Sequence, residues 1–195
     1  MRNTTRAFCL SFIVLATSSS LAGQTETPQQ PKDLQQSCLA FVQEFYDWYV
    51  PAWLTRNLES PATFKRWENS RDPLRSRSQL FSPELVRRLK EDHAAQARVK
   101  GDIVGLDFDP FIGGNGGPLG RYVVGKLTRK GELYRVNVHC VASGKKAKEL
   151  SVVPELAFRQ GRWQFVNFRY AEGDEGDDLI SILKLLREER QKNPH

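Results

Sequence analysis

Four stretches of alternating apolar and polar residues dominate the second half of the chain. They cover residues 121–128, 132–142, 150–158 and 162–170, and they are rich in valine, tyrosine, phenylalanine and tryptophan. Short connectors containing RKG, SGKKAK and RQG separate them. A period of two is typical of half-buried strands, and connectors this short join antiparallel neighbours. The sequence therefore predicts an antiparallel meander of about four strands.

Two details refine this meander. Pro154 lies inside the third stretch and lacks an N–H, which predicts that this strand is an edge strand or carries a bulge. Alternation within 132–142 places Tyr134, Val136, Val138, Cys140 and Ala142 on one apolar face. It places Arg135, Asn137 and His139 on the other face.

Helical periodicity flanks the strands. Apolar residues predict one helix that begins at Asp33 as N-cap and stops before Pro51, and a second that runs from Ser82-Pro83 to about Arg98. A third is predicted over 177–192, capped by Asp177 or Asp178, while 55–80 is predicted to be a loop with one helical turn. The order predicts a single α+β domain over 33–192, with N-terminal helices and a C-terminal helix packed on a curved antiparallel sheet.

The first 22 residues have the pattern of a secretory signal peptide. Arg2 and Arg6 precede an apolar run, and small residues precede Gly23. Residues 23–32 contain no apolar side chain and two prolines, which predicts a flexible leader. The sequence thus predicts a secreted or periplasmic protein with no transmembrane segment in the mature chain.

Removal of the signal leaves two cysteines, Cys38 and Cys140. An oxidising compartment favours a disulfide between them, and the apolar stripe of the first helix and the apolar face of the second strand would direct both sulfurs inward. The alternative is that both are buried thiols packed as small hydrophobes.

Charge and motifs argue against several functions. The formal net charge is +6, or +4 without the signal, but acidic residues interrupt the basic region around 65–90, so no nucleic-acid partner is predicted. The GGNGGPLG segment does not fit a dinucleotide-binding fingerprint, and no serine lies in a nucleophile elbow. No cofactor and no catalytic residue are predicted, and the oligomeric state is left open.

The loop 105–117, GLDFDPFIGGNGG, allows two further interpretations. Asp107 and Asp109 could contribute to a metal site, but the other ligands of a calcium loop are missing. Alternatively they form a corner, in which the carboxylates make Asx-type bonds and Phe108 and Phe111 anchor the loop on the core.

The candidate binding residues lie on two strands. Alternation places Trp163 and Phe165 on the same face as Asn167 and Arg169 in the last strand, and Arg135 and His139 lie on the second. Such a mixed face could bind an apolar ligand or a protein partner, whereas aromatic core packing would also explain Trp163.

Several segments together resemble a known family. FVQEFYDWYVP, FSPELVRRLKED, GLDFDPF and GRWQFVNFRY ahead of DLISILKLLREER are similar to an exported bacterial family known only as a domain of unknown function. The resemblance implies the cone-shaped α+β superfamily of nuclear transport factor two and ketosteroid isomerase. It implies no catalytic residue, because that superfamily includes enzymes, ligand carriers and interaction modules.

These observations favour an exported non-enzymatic domain that binds a small apolar ligand or a protein partner. The alternatives are a hydrolase or isomerase with Asp107 or Asp109 as base, and an envelope inhibitor or immunity-type protein.

Overall fold

A computed structural model describes most of the chain. The described residues are 31–55, 60–70, 72–114, 118–142, 144–147, 151–170 and 177–193. The predicted signal peptide and most of the predicted leader lie outside them.

The described residues form an antiparallel sheet, with helices before and after its strands along the chain. The helices are α1 Pro31–Tyr49, α2 Ala52–Thr55, α3 Pro61–Ser70, α4 Pro73–Ser76, α5 Pro83–Gln96 and α6 Leu179–Lys192. The strands are β1 Arg121–Lys130, β2 Leu133–Ala142, β3 Lys145–Lys146, β4 Val153–Arg159 and β5 Arg162–Arg169. The predicted α+β class is confirmed.

The long helices agree with their predicted signals. Ser82 accepts a hydrogen bond from Leu85 N and caps α5, and Asp178 accepts one from Ser181 N and caps α6. Only the start of α1 differs, because the helix begins at Pro31 and Asp33 lies in its first turn rather than at the N-cap.

The segment predicted as a loop is mostly helical, and that prediction is wrong. It contains α3, α4 and a 3-10 turn over Ser78–Leu80. Ser60-Pro61 and Asp72-Pro73 repeat the cap-and-proline signal of α5: Ser60 Oγ accepts from Thr63 N, and Asp72 Oδ1 accepts from Leu74 N. These helices are too short for apolar periodicity to indicate them.

The sheet is a meander, as predicted. Its order is β1-β2-β4-β5, all antiparallel, and it is not closed into a barrel. The two-residue strand β3, within the SGKKAK connector, pairs with the end of β2 as a fifth strand.

Pro154 marks a bulge rather than an edge. β4 pairs with β2 on one side and β5 on the other, so the edge-strand alternative is wrong. Pairing with β2 extends to Glu155 and resumes only at Val152, so that Pro154, which has no N–H, is skipped. The register with β5 shifts between Glu155 and Leu156. An irregularity is therefore present next to Pro154, but its extra residue lies in β5 and not in β4, so the predicted bulge belongs to the neighbouring strand.

The core lies between α1 and one face of the sheet, here called the inner face. Phe45 of α1 is at its centre, with the rings of Phe165 and Tyr46 at 4.9 and 5.3 Å between centroids. Tyr49, Phe81 and Phe111 surround it at 5.5–5.9 Å. Aromatic rings therefore pack the space between α1 and the inner face of the sheet.

The structure contradicts the predicted disulfide, because Cys38 and Cys140 are both free thiols. Tyr46 stacks on Tyr122, which is the cross-strand neighbour of Cys140. Cys38 lies eight residues before Tyr46, about 12 Å along the helix, whereas bonded cysteines have Cα atoms about 4.4–6.8 Å apart. Burial raises the pKa of Cys38 to about 12.

Candidate functional site

The bulge in β4 and β5 changes which predicted residues share a face. Leu156 pairs with Phe165 but Glu155 pairs with Asn167, so Val166 is an extra residue in β5. Trp163 and Phe165 consequently point to the inner face, whereas Asn167 and Arg169 point to the opposite, outer face. The prediction that all four share one face is wrong, because a bulge inverts the alternation.

Trp163 is a core residue. It is buried, its ring packs edge-on against Tyr134 at 4.9 Å, and its Nε1 donates to Ser37 Oγ over 3.0 Å. These contacts join the start of α1 to the sheet, so Trp163 does not contribute to an open binding surface.

Arg135, Glu155 and Asn167 lie side by side across the outer face of three strands. Arg135 Nε donates to Glu155 Oε1 over 2.7 Å, and Asn167 Nδ2 donates to Glu155 Oε2 over 3.2 Å. Arg169 Nη1 lies 4.0 Å from Glu155 Oε1, and both side chains are less than 10% exposed. The structure therefore brings together three of the predicted binding residues, around a glutamate.

The same cluster fixes the start of α6. Asn167 Nδ2 donates to Asp178 Oδ1 over 2.8 Å, and Asn167 Oδ1 accepts from Ile180 N over 3.1 Å. Burial opposes the charged form of Asp178, but hydrogen bonds from Asn167 and Ser181 and the charge of Arg169 outweigh it and lower its pKa. Asn167 and Arg169 thus have a structural explanation: they connect the helix to the sheet.

His139 lies on the outer face of β2, two strands away from this helix. Its ring covers Gly125 of β1, where an added Cβ would come within 3.1 Å of Nε2. Nδ1 is buried and has no hydrogen-bond partner within the described residues. The absence of a Cβ at Gly125 therefore leaves room for the imidazole next to the neighbouring strand.

The outer face is covered over one half of the sheet and open over the other. On β4 and β5 most outward residues are buried, namely Val153, Glu155, Ala157, Gln164 and Arg169, whereas Asn167 is half-buried and Arg159 and Arg162 beside the turn are exposed. On β1 and β2 the outward residues are half-buried or exposed, and we call them the open outer face: Arg121, Val123, Thr128, Arg135, Asn137 and His139. Of the predicted binding residues, only Arg135 and His139 belong to it.

The glycine-rich loop forms a corner around Asp109. Asp109 Oδ2 accepts from the Tyr49 hydroxyl over 2.7 Å, and Oδ1 accepts from Phe111 N over 2.9 Å, an Asx-type bond. The Tyr46 hydroxyl donates to Phe111 O and the Tyr170 hydroxyl to Pro110 O. Gly113, at φ 69°, supplies the left-handed conformation of the turn.

The contacts of Asp109 give it a structural role in this corner. Burial raises the pKa of Asp109, although hydrogen bonds from Tyr49 and Phe111 partly oppose that shift. Both Asp109 oxygens accept protein donors, and Asp107 is exposed. Among the described residues no cluster of three or more metal-ligating side chains occurs; residues 115–117 lie outside them.

A groove that sequence reasoning missed lies between the ends of α5 and α6. It has a volume of about 360 Å³ and is lined by Ala95, Val99 and Val104 together with Arg98 and Arg187. Arg190 closes its floor, where Nη1 donates to Asp92 Oδ1 and to Val104 O, each over 2.7 Å. Cations at these positions complement the partial negative charge of two helix C-termini, which explains them structurally.

Comparison with family models, curated proteins and solved structures finds no match for this chain. The resemblance to the exported family and its superfamily therefore stays a prediction. The described residues contain no helix that is both long and apolar enough to cross a bilayer.

Proposed function

We propose that this chain is an exported, non-enzymatic domain that binds a protein partner through its open outer face. Export rests on the signal-peptide pattern of residues 1–22. The observation that carries the binding proposal is the uneven cover of the outer face, which is mostly buried over β4 and β5 but half-buried or exposed over β1 and β2.

Two alternatives are less well supported by the geometry. An apolar ligand would need space between α1 and the sheet, but Phe45 and its aromatic neighbours occupy that space. Of the two candidate loop bases, Asp109 already accepts a protein hydrogen bond on each oxygen, and Asp107 is exposed at the surface.

The open outer face has the composition of a protein contact. Val123 contributes apolar area beside the polar Asn137 and His139, and Arg121 lies at the rim. Arginine is enriched at protein interfaces, and a mixture of apolar and polar groups is typical of them. Two ten-residue strands extend this surface over about 30 Å.

Site-specific photo-crosslinking tests the proposal. A photoreactive residue at Thr128, which is exposed on the open outer face, should give a discrete protein adduct in cells that export the chain. The matched control is Leu185 of α6, which is 58% exposed on another surface. Equal adducts from both positions, or none from Thr128, would contradict the proposal.

A further inference from the structure

The charge of the open half of the sheet is one-sided. Residues 121–147 contain seven lysine and arginine residues but a single carboxylate, Glu132. Arg135 is paired with Glu155 of β4, whereas Arg121, Lys126, Lys145 and Lys146 are exposed. A partner that contacts this half of the sheet therefore meets a surface that attracts negative charge.

β1 is the edge strand of this half, and one part of its edge is already occupied. Gln43 of α1 donates from Nε2 to Tyr122 O and accepts at Oε1 from Val124 N, both over 3.0 Å. The amide side chain thereby takes the place that a neighbouring strand would take next to Tyr122 and Val124. The register of β1 shifts directly after Val124.

Beyond that bulge the edge is open. Lys130 and Leu133 close a hairpin with a two-residue loop, with Gly131 at φ 61°. In such a closing pair each residue donates to and accepts from the other. Because bonded and non-bonded pairs alternate along the strand, Arg129 and Leu127, one and three residues before Lys130, direct their N–H and C=O groups away from β2. Within the described part of the chain, no backbone partner meets these outward groups.

We propose that this open edge, residues 125–129 of β1, binds an extended acidic segment of the protein partner, which adds to the sheet as a further strand. The inference rests on the proposed function and specifies the partner's chemistry. The outward N–H and C=O groups favour an extended segment as the partner, because a segment added as a strand binds through main-chain hydrogen bonds. Two positive charges favour carboxylates: Lys126 is exposed, and Arg129 keeps its charge while its Nε donates to Gly131 O and its guanidinium lies over the Tyr134 ring.

A second copy of the chain fits this edge poorly. Antiparallel pairing of two β1 edges would bring the cations of both copies together, and like charges placed opposite each other destabilise a strand pair. A lipid or polysaccharide surface would satisfy the cations but not the outward backbone groups. Lysine on an edge strand also protects against unwanted strand pairing between molecules. If protection were the only role of these lysines, no acidic peptide would bind to the edge.

The test uses an eight-residue peptide of alternating threonine and glutamate with a fluorescent label. Fluorescence anisotropy should detect binding to the full mature chain at low salt, with affinity that falls as salt is added. The same peptide with lysine for glutamate should not bind, and neither should an acidic peptide with alternate backbone nitrogens methylated. Binding of the methylated peptide would show a purely electrostatic contact and overturn strand addition; absence of binding by the unmodified peptide would overturn the inference altogether.

Two variants at one position separate backbone from charge. Arg129→Ala removes a cation but keeps the outward N–H, whereas Arg129→Pro also removes that N–H, and proline is tolerated on an edge strand. Arg129→Pro should bind the acidic peptide about fivefold more weakly than Arg129→Ala, the effect of one lost hydrogen bond. Equal affinities would contradict strand addition, and thermal unfolding checks that both variants fold.

The crosslinking experiment distinguishes the two proposals. A partner adduct from Thr128 that persists in the Arg129→Pro variant, together with no peptide binding, would leave the proposed function standing and overturn the edge inference. Loss of the adduct in Arg129→Pro but not in Arg129→Ala would support both.

Discussion

The Tyr49 hydroxyl donates a 2.7 Å hydrogen bond to Asp109 Oδ2 and thereby joins α1 to the corner that leads into β1. Burial raises the pKa of both groups, so the bond lies in an environment that disfavours charge. Burial makes the Asp109 carboxyl resemble a catalytic group. The same burial is explained by the corner that it holds together.

Substitutions of Asp109 should separate its hydrogen bonds from its charge. Asp109→Ala leaves Phe111 N and the Tyr49 hydroxyl without their acceptor, and we expect it to lower the free energy of unfolding by about 2–3 kcal/mol. Asp109→Asn retains an acceptor for Phe111 N and should cost less than half as much. Urea denaturation measures both. Equal losses would show that the charge itself is required, as expected for a cation site.

Asp109 and Asp178 should give pH dependences of opposite sign. The folded-state pKa of Asp178 lies below its ordinary value of 3.8, so its contribution is present above that value and is lost as pH falls through the folded pKa. The folded-state pKa of Asp109 lies above 3.8, so its cost to stability builds up as pH rises from 3.8 to the folded pKa, is complete above that pKa, and disappears on acidification.

Unfolding of the wild type, Asp178→Asn and Asp109→Asn between pH 3 and 7 checks this. The advantage of wild type over Asp178→Asn should shrink as pH falls, whereas its stability relative to Asp109→Asn should rise. Parallel profiles for the two variants would contradict the assigned environments.

Arg190 should be the most sensitive arginine of the α5–α6 pair. Asp92 is 6% exposed and also accepts from Leu106 N, so Arg190→Ala leaves a buried carboxylate without its counterion. We expect a loss of about 2–4 kcal/mol. Arg187→Ala is the matched control, since Arg187 lies 3.9 Å from Glu91 and both side chains are about half exposed, and it should cost under about 1 kcal/mol. Comparable losses in thermal unfolding would contradict the importance of burial.

Local signals in the sequence predicted most of the fold. The caps at Ser82 and Asp178, the alternation of four strands and the short connectors depend on neighbouring residues, and the structure bears them out. The predicted disulfide failed because it depends on a distance between two elements, and patterns of neighbouring residues do not contain that distance. The periodicity of apolar residues correctly predicted that Cys38 and Cys140 point inward. It does not contain the distance between the two residues along the axis of α1.

The candidate site was predicted less well, and one residue accounts for much of the error. Val166, the extra residue of the bulge, separates Trp163 from Asn167 and Arg169 by moving them to opposite faces. Pro154 predicted a bulge in β4. The extra residue lies in β5, and its position depends on how the two strands pair, which the sequence pattern does not show. Burial of Arg169 depends on tertiary packing and could not be read from alternation.

Gln43 should control the edge of β1. Gln43→Ala removes both bonds to Tyr122 O and Val124 N and should lower the free energy of unfolding by about 1–2 kcal/mol. It also exposes two further outward backbone groups, so the variant should associate at concentrations at which the wild type does not, and light scattering with size-exclusion chromatography would detect this. Glu44→Ala, at the next and exposed position of α1, is the control.

The same variant bears on strand addition, since it lengthens the open edge from residues 125–129 to residues 122–129. The acidic peptide should therefore bind Gln43→Ala more tightly than wild type, although the variant is less stable. Weaker or unchanged binding, with Glu44→Ala equal to wild type, would show that the groups next to Gln43 are not continuous with a strand-binding edge.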